Sequence, residues 1–319
     1  MSNVIVDFIT ANAKALEQLV DLAAYLAILM LIPLLEALRT RIYHLLTLSR
    51  PINCIMVIFG VVTGALISVN NAYLYADKIL LAGIVAALIT AGGNAIDDYF
   101  DRKIDRMNKP ERPIPSGKLK PELALVYAFF LFILGIAISF ELPKSCMLLA
   151  AVNSIILVFY PKIKNINGIA GNIIISYLTA SVFIFGALLG QNVFSGWLIA
   201  IITFFAVFAR EVIKDIEDIR GDMRIGRKTI PITFGKGFAA KVAAIMLILA
   251  MLLSPTLFVS DILLSLGIFL LLPSYTMFVY AIYNFANAER AQKLIKAGML
   301  LSILAFFVSS KNFWLLINA

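Results

Sequence analysis

Long apolar segments alternate with short polar stretches from residue 51 almost to the end of the chain. Each apolar segment has the length of a helix that crosses the hydrocarbon core of a bilayer, which takes about 20 residues. The predicted fold class is therefore an all-α polytopic membrane protein. The nine predicted transmembrane helices cover residues 51–69, 78–96, 121–140, 143–160, 168–190, 193–212, 237–256, 260–283 and 294–315.

The polar connections predict how the chain is oriented. If the N-terminus and the even-numbered connections lie on one side, that side holds all 27 Lys and Arg residues except Lys78, Lys144 and Lys311. Basic residues are concentrated on the cytoplasmic side of membrane proteins. We therefore expect a multi-pass protein of the cell membrane whose basic connections lie in the cytoplasm.

Composition supports the same class of protein. The chain is 61% hydrophobic and only 14% charged, whereas soluble domains are about 25% charged. The net charge of +8 is explained by this topology and by binding of anionic ligands. Nothing in the sequence indicates a nucleic-acid-binding module or an obligate protein partner.

The first 45 residues form an N-terminal extension to a predicted domain over residues 46–319. Their apolar run, Leu22–Leu35, is short for a membrane span and contains Pro33. We interpret it as an interfacial helix. A tenth span is the alternative, and it would place the N-terminus on the outer side.

Four carboxylates crowd the end of the second apolar segment. We call Asp97, Asp98, Asp101 and Asp105 the first acidic cluster. On a helix these residues and Asn94 fall within about a third of the circumference, where like charges repel. Bound cations would relieve that repulsion, and an all-oxygen set of ligands favours a hard cation such as Mg²⁺.

A second acidic cluster ends the sixth apolar segment, 117 residues later. It consists of Glu211, Asp215, Asp218 and Asp222. At this offset the last three match Asp98, Asp101 and Asp105 in turn, Glu211 matches Asn94, and Lys214 stands in place of Asp97. The repeat predicts two related halves. If both clusters face one cavity, they can share Mg²⁺ ions and a diphosphate.

Several polar residues lie inside or beside predicted spans. Arg50 and Asn53 lie at the start of the first, and Asn172 and Ser176 near the start of the fifth. Polar residues within membranes often mark a functional site. Contacts between helices, or an interfacial Arg that marks topology, are the alternatives.

Both acidic motifs resemble those of the UbiA superfamily of intramembrane prenyltransferases. The first reads Asp98-x2-Asp101-x3-Asp105 followed by Arg112-Pro113, and the second reads Asp215-x2-Asp218-x3-Asp222 followed by Gly226-x-Lys228. Arg50-Pro51-x-Asn53 and Tyr160-Pro-x-x-Lys164 match motifs at the first and fourth helices. The resemblance covers residue 46 to the C-terminus. One departure is Asp97, where the family usually has Asn.

The resemblance implies nine transmembrane helices around a central cavity and Mg²⁺-dependent transfer of a prenyl group from its diphosphate. The run from Arg210 to Asp222 looks most like the archaeal enzymes that attach geranylgeranyl to geranylgeranylglyceryl phosphate. The expected partners are thus a prenyl diphosphate, a lipid-like acceptor and membrane lipids. Two alternatives are an aromatic acceptor and, from another class, a cation-coupled transporter. Transporter sites lie near the midplane, whereas these clusters lie at span ends.

The site residues expected from charge, polarity and resemblance fall into three groups. The expected metal ligands are Asn94, Asp98, Asp101, Asp105, Asp215, Asp218 and Asp222. The expected catalytic residues are Asp98, Asp101, Asp215, Asp218, Lys164 and Lys214. The expected substrate-binding residues are Arg50, Asn53, Arg112, Tyr160, Lys162, Asn172, Ser176, Arg210 and Lys228. For each basic residue, a topology signal or an ion pair with a neighbouring Asp is the alternative.

Overall fold

The structure is a computed structural model that describes residues 39–224, 226–260 and 262–317. Within these ranges the chain is helical, and no strand is formed; one isolated β-bridge joins Asn167 to Lys228. The chain divides into two units, Met1–Thr47 and Leu48–Ala319. Residues 39–49 are helical. The interfacial helix predicted at Leu22–Leu35 lies outside the described residues.

Among the described residues of the second unit, nine helices have 12 or more residues. They are α1 (Pro51–Ser68), α2 (Ala76–Asn108), α3 (Pro121–Ser139), α4 (Lys144–Ile166), α5 (Gly168–Ala187), α6 (Val193–Arg224), α7 (Lys236–Leu253), α8 (Leu272–Tyr283) and α9 (Ala288–Ser309). Shorter helical segments are Ala72–Tyr75, Ile230–Phe234, Thr256–Val259, Ser265–Leu271 and Lys311–Ile317.

Eight of the described helical segments are long and apolar enough to cross a membrane, which confirms a polytopic membrane protein. The predicted eighth span, residues 260–283, is different. There a 3₁₀ segment, Ser265–Leu271, leads into the 12-residue helix α8. Pro273 lies in the first turn of α8. It has no N–H to donate to the carbonyl of residue 269, so a regular α-helix does not continue from the preceding segment into α8. The count of nine membrane-crossing helices is therefore not confirmed exactly.

Helices α2 and α6 carry the two acidic clusters and run far beyond the spans predicted for them. They contain 33 and 32 residues, and they begin at Ala76 and Val193, which are 117 residues apart. The same offset separates Pro51, where α1 begins, from Gly168, where α5 begins. Helix α2 packs on α3 as α6 packs on α7. The repeat predicted from the acidic motifs therefore extends to whole helices.

Small residues let the two halves approach each other. A Cβ added to Gly64 of α1 would overlap the carbonyl group of Phe183, and one added to Gly186 of α5 would overlap that of Val61. Close backbone approach through glycine is typical of packed membrane helices. The α1–α5 contact therefore fixes the position of both polar helix ends that border the cavity described below.

We expect Gly186→Ala to destabilise the protein by about 1–3 kcal/mol, because the methyl group must push two backbones apart. Thermal unfolding in detergent measures the effect. Gly237→Ala is the matched control, since nothing lies within 4 Å of the Cβ position there. An equal melting temperature for both variants would contradict the close α1–α5 packing.

Helix α4 continues past its predicted end at residue 160, through Pro161, to Ile166. Proline removes one backbone donor, but the following turn is held by Asn167, whose N–H donates to the carbonyl of Ile163 at 2.8 Å. The side chain of Asn167 then accepts from the N–H of Ala170 and caps α5. The extra turn of α4 carries Lys164 to the acidic clusters.

Candidate active site

One cavity of about 790 Å³ gathers most of the predicted site residues. Its wall is formed by α1, α2, α4, α5, α6 and α9. From the predicted set, the lining residues are Arg50, Asn53, Asn94, Asp101, Asp105, Arg112, Tyr160, Lys164, Asn172, Arg210, Lys214, Asp215, Asp218 and Asp222. Both acidic clusters therefore contribute to a single cavity, which is the condition under which they can share Mg²⁺ ions and a diphosphate.

Four residues of the predicted set do not line the cavity. Asp98 is 5% exposed and lies behind the wall. Ser176 is buried and donates to the carbonyl of Asn172 at 2.6 Å within its own helix. Lys162 is exposed over the ring of Phe100, and Lys228 is exposed. The backbone carbonyl of Lys228 accepts from the N–H of Gly168 at 2.9 Å, which ties this loop to α5.

Two arginines neutralise part of the first acidic cluster. The guanidinium of Arg50 lies 2.5 Å from Asp98 and 3.6 Å from Asp97. That of Arg112 lies 3.0 Å from Asp98 and 2.7 Å from Asp105. Asp98 therefore holds two cations from different parts of the chain, which makes it the centre of a structural network.

Lys164 neutralises the remainder of the first cluster from across the cavity. Its ammonium lies 2.5 Å from Asp97 and 2.9 Å from Asp101, and its side chain is only 16% exposed. The extra charge of Asp97 is thus compensated by an ion pair between α2 and α4. The repulsion expected within the cluster is relieved largely by protein cations.

Arg50 has an unusual backbone. Its φ of 49° places it in the left-handed region, and it is the one described non-glycine residue with positive φ. Such a conformation costs about 1–3 kcal/mol and occurs where tertiary contacts enforce it. Burial alone would lower the pKa of this guanidinium, but the charges of Asp98 and Asp97 outweigh burial and raise it. The contacts with Asp97 and Asp98 therefore hold Arg50 charged and in a fixed position beside the first acidic cluster.

The second acidic cluster is less fully compensated. Glu211 pairs with Arg210 at 2.5 Å and with Lys214 at 3.7 Å. Asp222 pairs with Arg227 at 2.9 Å. Asp215 accepts a hydrogen bond of 2.7 Å from Asn172, and it has no cationic partner among the described residues. This cluster therefore keeps carboxylates available to a ligand.

Asp218 has neither an ion pair nor a hydrogen bond within the described part of the chain. It is exposed and lines the cavity. Two further carboxylate oxygens, Asp101 Oδ1 and Asp222 Oδ2, are buried without a hydrogen-bond partner. A buried oxygen without a hydrogen-bond partner costs free energy of folding, unless a bound ligand supplies the partner. The cavity thus presents oxygen ligands from both α2 and α6.

These oxygens fit a hard divalent cation. Within the described ranges, no three Asp, Glu, His or Cys side chains are close enough to hold a metal by themselves. Mg²⁺ does not need such a group, since it usually takes one or two carboxylates together with water and phosphate oxygens. Asp101, Asp215, Asp218 and Asp222 are the residues that would hold it in this cavity.

The cavity is charged at one end and mostly apolar farther along the helices. On α4 the lining residues Lys164, Tyr160, Leu157 and Asn153 succeed one another on one helix face. They span about 16 Å at 1.5 Å per residue. On α5 the corresponding series runs from Asn172 to Ile175 and Leu178. This arrangement suits a ligand with an anionic head and a long apolar tail.

Several lining residues lie outside the set predicted from the sequence, and three of them are polar residues with a clear place in the site. Arg227, and not its neighbour Lys228, pairs with the second cluster, and it also donates to Asn165 at 2.7 Å. Asn153 lies deep in the cavity and donates to Ser181 at 2.9 Å. Lys296 lies on α9 and lines the cavity. For Lys296 a usable signal existed: residues 296, 299 and 303 share one helix face.

Comparison with known proteins identifies the family. The profile of the UbiA prenyltransferase family matches residues 55–310. The chain belongs to this family. The predicted superfamily and the helical fold are thereby confirmed, and the motif residues on α2 and α6 lie inside the matched range.

Relatives and solved structures show where within the UbiA family the similarity is strong. The digeranylgeranylglyceryl phosphate synthase of Methanopyrus kandleri is 39% identical over 268 residues, with 83% of this chain and 98% of the relative covered. That of Methanothrix thermoacetophila is 39% identical over 276 residues, with 83% and 98% covered. A solved structure concerning digeranylgeranylglyceryl phosphate synthase in membranes has a TM-score of 0.72 at 34% identity, covering 86% of this chain and 99% of that one.

More distant members of the family share the fold. A UbiA homolog from Archaeoglobus fulgidus, solved with DMAPP and Mg²⁺ bound, has a TM-score of 0.58 at 18% identity. It covers 81% of this chain and 98% of that one. At this level of identity the likeness concerns the UbiA fold alone.

Proposed function

We propose that this UbiA-family prenyltransferase transfers a geranylgeranyl group from its diphosphate to the hydroxyl of geranylgeranylglyceryl phosphate. The product would carry the second ether bond of an archaeal membrane lipid. The observation that carries the proposal is that one cavity contains residues of both acidic clusters and an apolar wall. The names of relatives that are 39% identical over nearly their whole length support the choice of acceptor.

The reaction breaks the bond between C1 of the prenyl group and the diphosphate, whose oxygens keep the electron pair. The hydroxyl oxygen of the acceptor forms the new bond to C1 and loses its proton. Bound Mg²⁺ would neutralise the negative charge that develops on the leaving diphosphate. Asp101, Asp215, Asp218 and Asp222 are the proposed ligands.

The cations of the chain act on the same diphosphate. Lys164 extends between the two clusters, and Arg50 and Arg112 border the cavity beside the first. Arginine and lysine bind phosphate oxygens by charge-assisted hydrogen bonds. We infer that these side chains exchange part of their contact with Asp97, Asp98 and Asp105 for the incoming diphosphate. Tyr160, 5.3 Å beneath the ammonium of Lys164, helps to keep that side chain in position.

The apolar wall binds the prenyl chain and excludes water from the reacting carbon. Leu157 of α4 and Ile175 of α5 lie one to two turns beyond Lys164 and Asn172. An allylic cation formed there would meet few competing water molecules. No basic side chain is required to take the hydroxyl proton, because attack on so strong an electrophile makes the hydroxyl acidic.

We further propose that the site opens at the cytoplasmic face of the cell membrane. All basic connections except those bearing Lys78, Lys144 and Lys311 lie on the side of the acidic clusters in the predicted topology. Both substrates would then enter from the inner leaflet. Cysteine labelling of the 109–120 loop in intact and permeabilised cells tests this orientation.

An acceptor assay tests the proposed reaction. Purified protein is mixed with geranylgeranyl diphosphate, Mg²⁺ and either geranylgeranylglyceryl phosphate or 4-hydroxybenzoate, and EDTA replaces Mg²⁺ in a control. We expect product from the glyceryl phosphate lipid only, because the hydroxyl and the phosphate of that lipid match the cavity. Product from the aromatic acceptor only would contradict the proposal and assign the protein to the aromatic prenyltransferases of the family.

A further inference from the structure

Nine cationic side chains line the cavity, and most of them are already paired. Arg50, Arg112, Lys164, Arg210, Lys214 and Arg227 each have a carboxylate within ion-pair distance. Among the described residues, the lining cations without such a partner are Lys109, Arg224 and Lys296. The proposed function needs places for two anionic substrates, a diphosphate and a phosphate monoester. The unpaired cations are candidates for the second.

The surroundings distinguish Lys296 from the other two. Lys109 directly follows the end of α2, one turn beyond Asp105, and Arg224 is the last residue of α6, two positions beyond Asp222. The cavity wall next to each of these two cations is therefore lined by carboxylates. Beneath Lys296 the lining residues of α9 are Met299 and Ile303. At positions i, i+3 and i+7 the three side chains share one helix face over about 10 Å. A cation above an apolar track matches a lipid with an anionic head.

The apolar track of α9 continues toward the interior of the protein. Met299 and Ile303, together with Thr203 of α6, also line a smaller cavity that reaches Phe278 and Phe306. Helix α9 packs against α6 and α1. This wall belongs to different helices from the α4–α5 wall beside Lys164. The cavity thus offers two apolar walls, one for the prenyl chain of the donor and one for that of the acceptor.

We propose that Lys296 binds the phosphate of the acceptor lipid and that Met299 and Ile303 bind its prenyl chain. This inference rests on the proposed function. It assigns the first phosphate-binding role on α9, and it leaves Lys164, Arg50 and Arg112 to the diphosphate of the donor. Lys296 is a substrate-binding residue and takes no part in the bond-making step.

Steady-state kinetics of Lys296→Ala tests the assignment. We expect KM for geranylgeranylglyceryl phosphate to rise about tenfold, since one charge-assisted hydrogen bond is lost, while KM for geranylgeranyl diphosphate stays unchanged. Lys296→Arg should recover most of the loss because it keeps the charge. Lys293→Ala is the matched control, since Lys293 lies on the same helix, pairs with Glu289 at 2.6 Å and does not line the cavity.

An acceptor without phosphate, geranylgeranylglycerol, separates a specific contact from a general defect. Wild type and Lys296→Ala should use this alcohol with equal KM, because the group that Lys296 binds is absent. An equal loss on both acceptors, an unchanged KM for the phosphate lipid, or a raised KM for the donor would each overturn the assignment. A wild-type protein that alkylates neither acceptor would instead contradict the proposed function itself, and the acceptor site with it.

Discussion

Asp218→Ala is expected to lower kcat/KM for prenyl transfer about 10²–10³-fold, the size typical of losing one group that stabilises developing negative charge. The melting temperature should not change. Asp218 lines the cavity, is exposed and has no ion pair or hydrogen bond among the described residues. Alanine therefore removes no contact that stabilises the fold, and loss of transfer would report the loss of a ligand to the metal and its diphosphate.

Glu111→Ala is the control for Asp218→Ala, because Glu111 is also an exposed acid and does not line the cavity. Initial rates with saturating and limiting Mg²⁺ identify the cause, since a lost metal ligand raises the Mg²⁺ concentration needed for half-maximal rate. Full activity of Asp218→Ala at limiting Mg²⁺ would contradict a metal role for the second cluster. Asp98→Ala is a poorer test, since it also breaks the ion pairs with Arg50 and Arg112.

The positions of the acidic clusters could be predicted from the sequence because they depend on local geometry. A helix period of 3.6 residues fixes which carboxylates share a face, and the apolar segments fix which end of the span they occupy. The 117-residue repeat needs only the comparison of two stretches. The same repeat relates Pro51 and Gly168, where α1 and α5 begin. The sequence did not reveal this match, because apolar spans of similar composition resemble one another at many offsets.

The partners of the carboxylates could not be predicted, since they depend on tertiary contacts. Asp98 was expected to be a metal ligand. In the structure it lies behind the cavity wall and is paired with Arg50, which is 48 residues earlier in the chain. Lys164 reaches Asp97 from 67 residues away. Periodicity gives the face on which a side chain lies, but not the neighbouring helix that this face meets. For the same reason the sequence predicted Lys228 at the second cluster, whereas in the structure Arg227 pairs with Asp222.

Lys164→Met is expected to abolish transfer and to destabilise the protein by about 3–5 kcal/mol, because it leaves the mostly buried carboxylate of Asp101 without a cation and that of Asp97 with only Arg50, 3.6 Å away. In the second acidic cluster Lys214 occupies the position that matches Asp97, so this α2–α4 pair has no counterpart in the other half. Adding Asp97→Asn removes one of the two carboxylate charges that Lys164 neutralises. We expect the double variant to recover part of the stability, with a coupling energy of about 1–3 kcal/mol between the two sites.

Activity and stability should respond differently in this cycle. Asp97→Asn restores no ammonium group for the diphosphate, so the double variant should stay inactive although it is more stable than Lys164→Met. Thermal unfolding in detergent and the rate of prenyl transfer are measured for all four proteins, and Lys144→Met is the control, since Lys144 is an exposed lysine at the other end of α4. Recovered transfer in the double variant would show that Lys164 serves only to neutralise Asp97. Additive effects on stability would contradict the ion pair itself. The expected pattern assigns Lys164 two roles, holding the first acidic cluster together before substrate binds and binding the diphosphate afterwards.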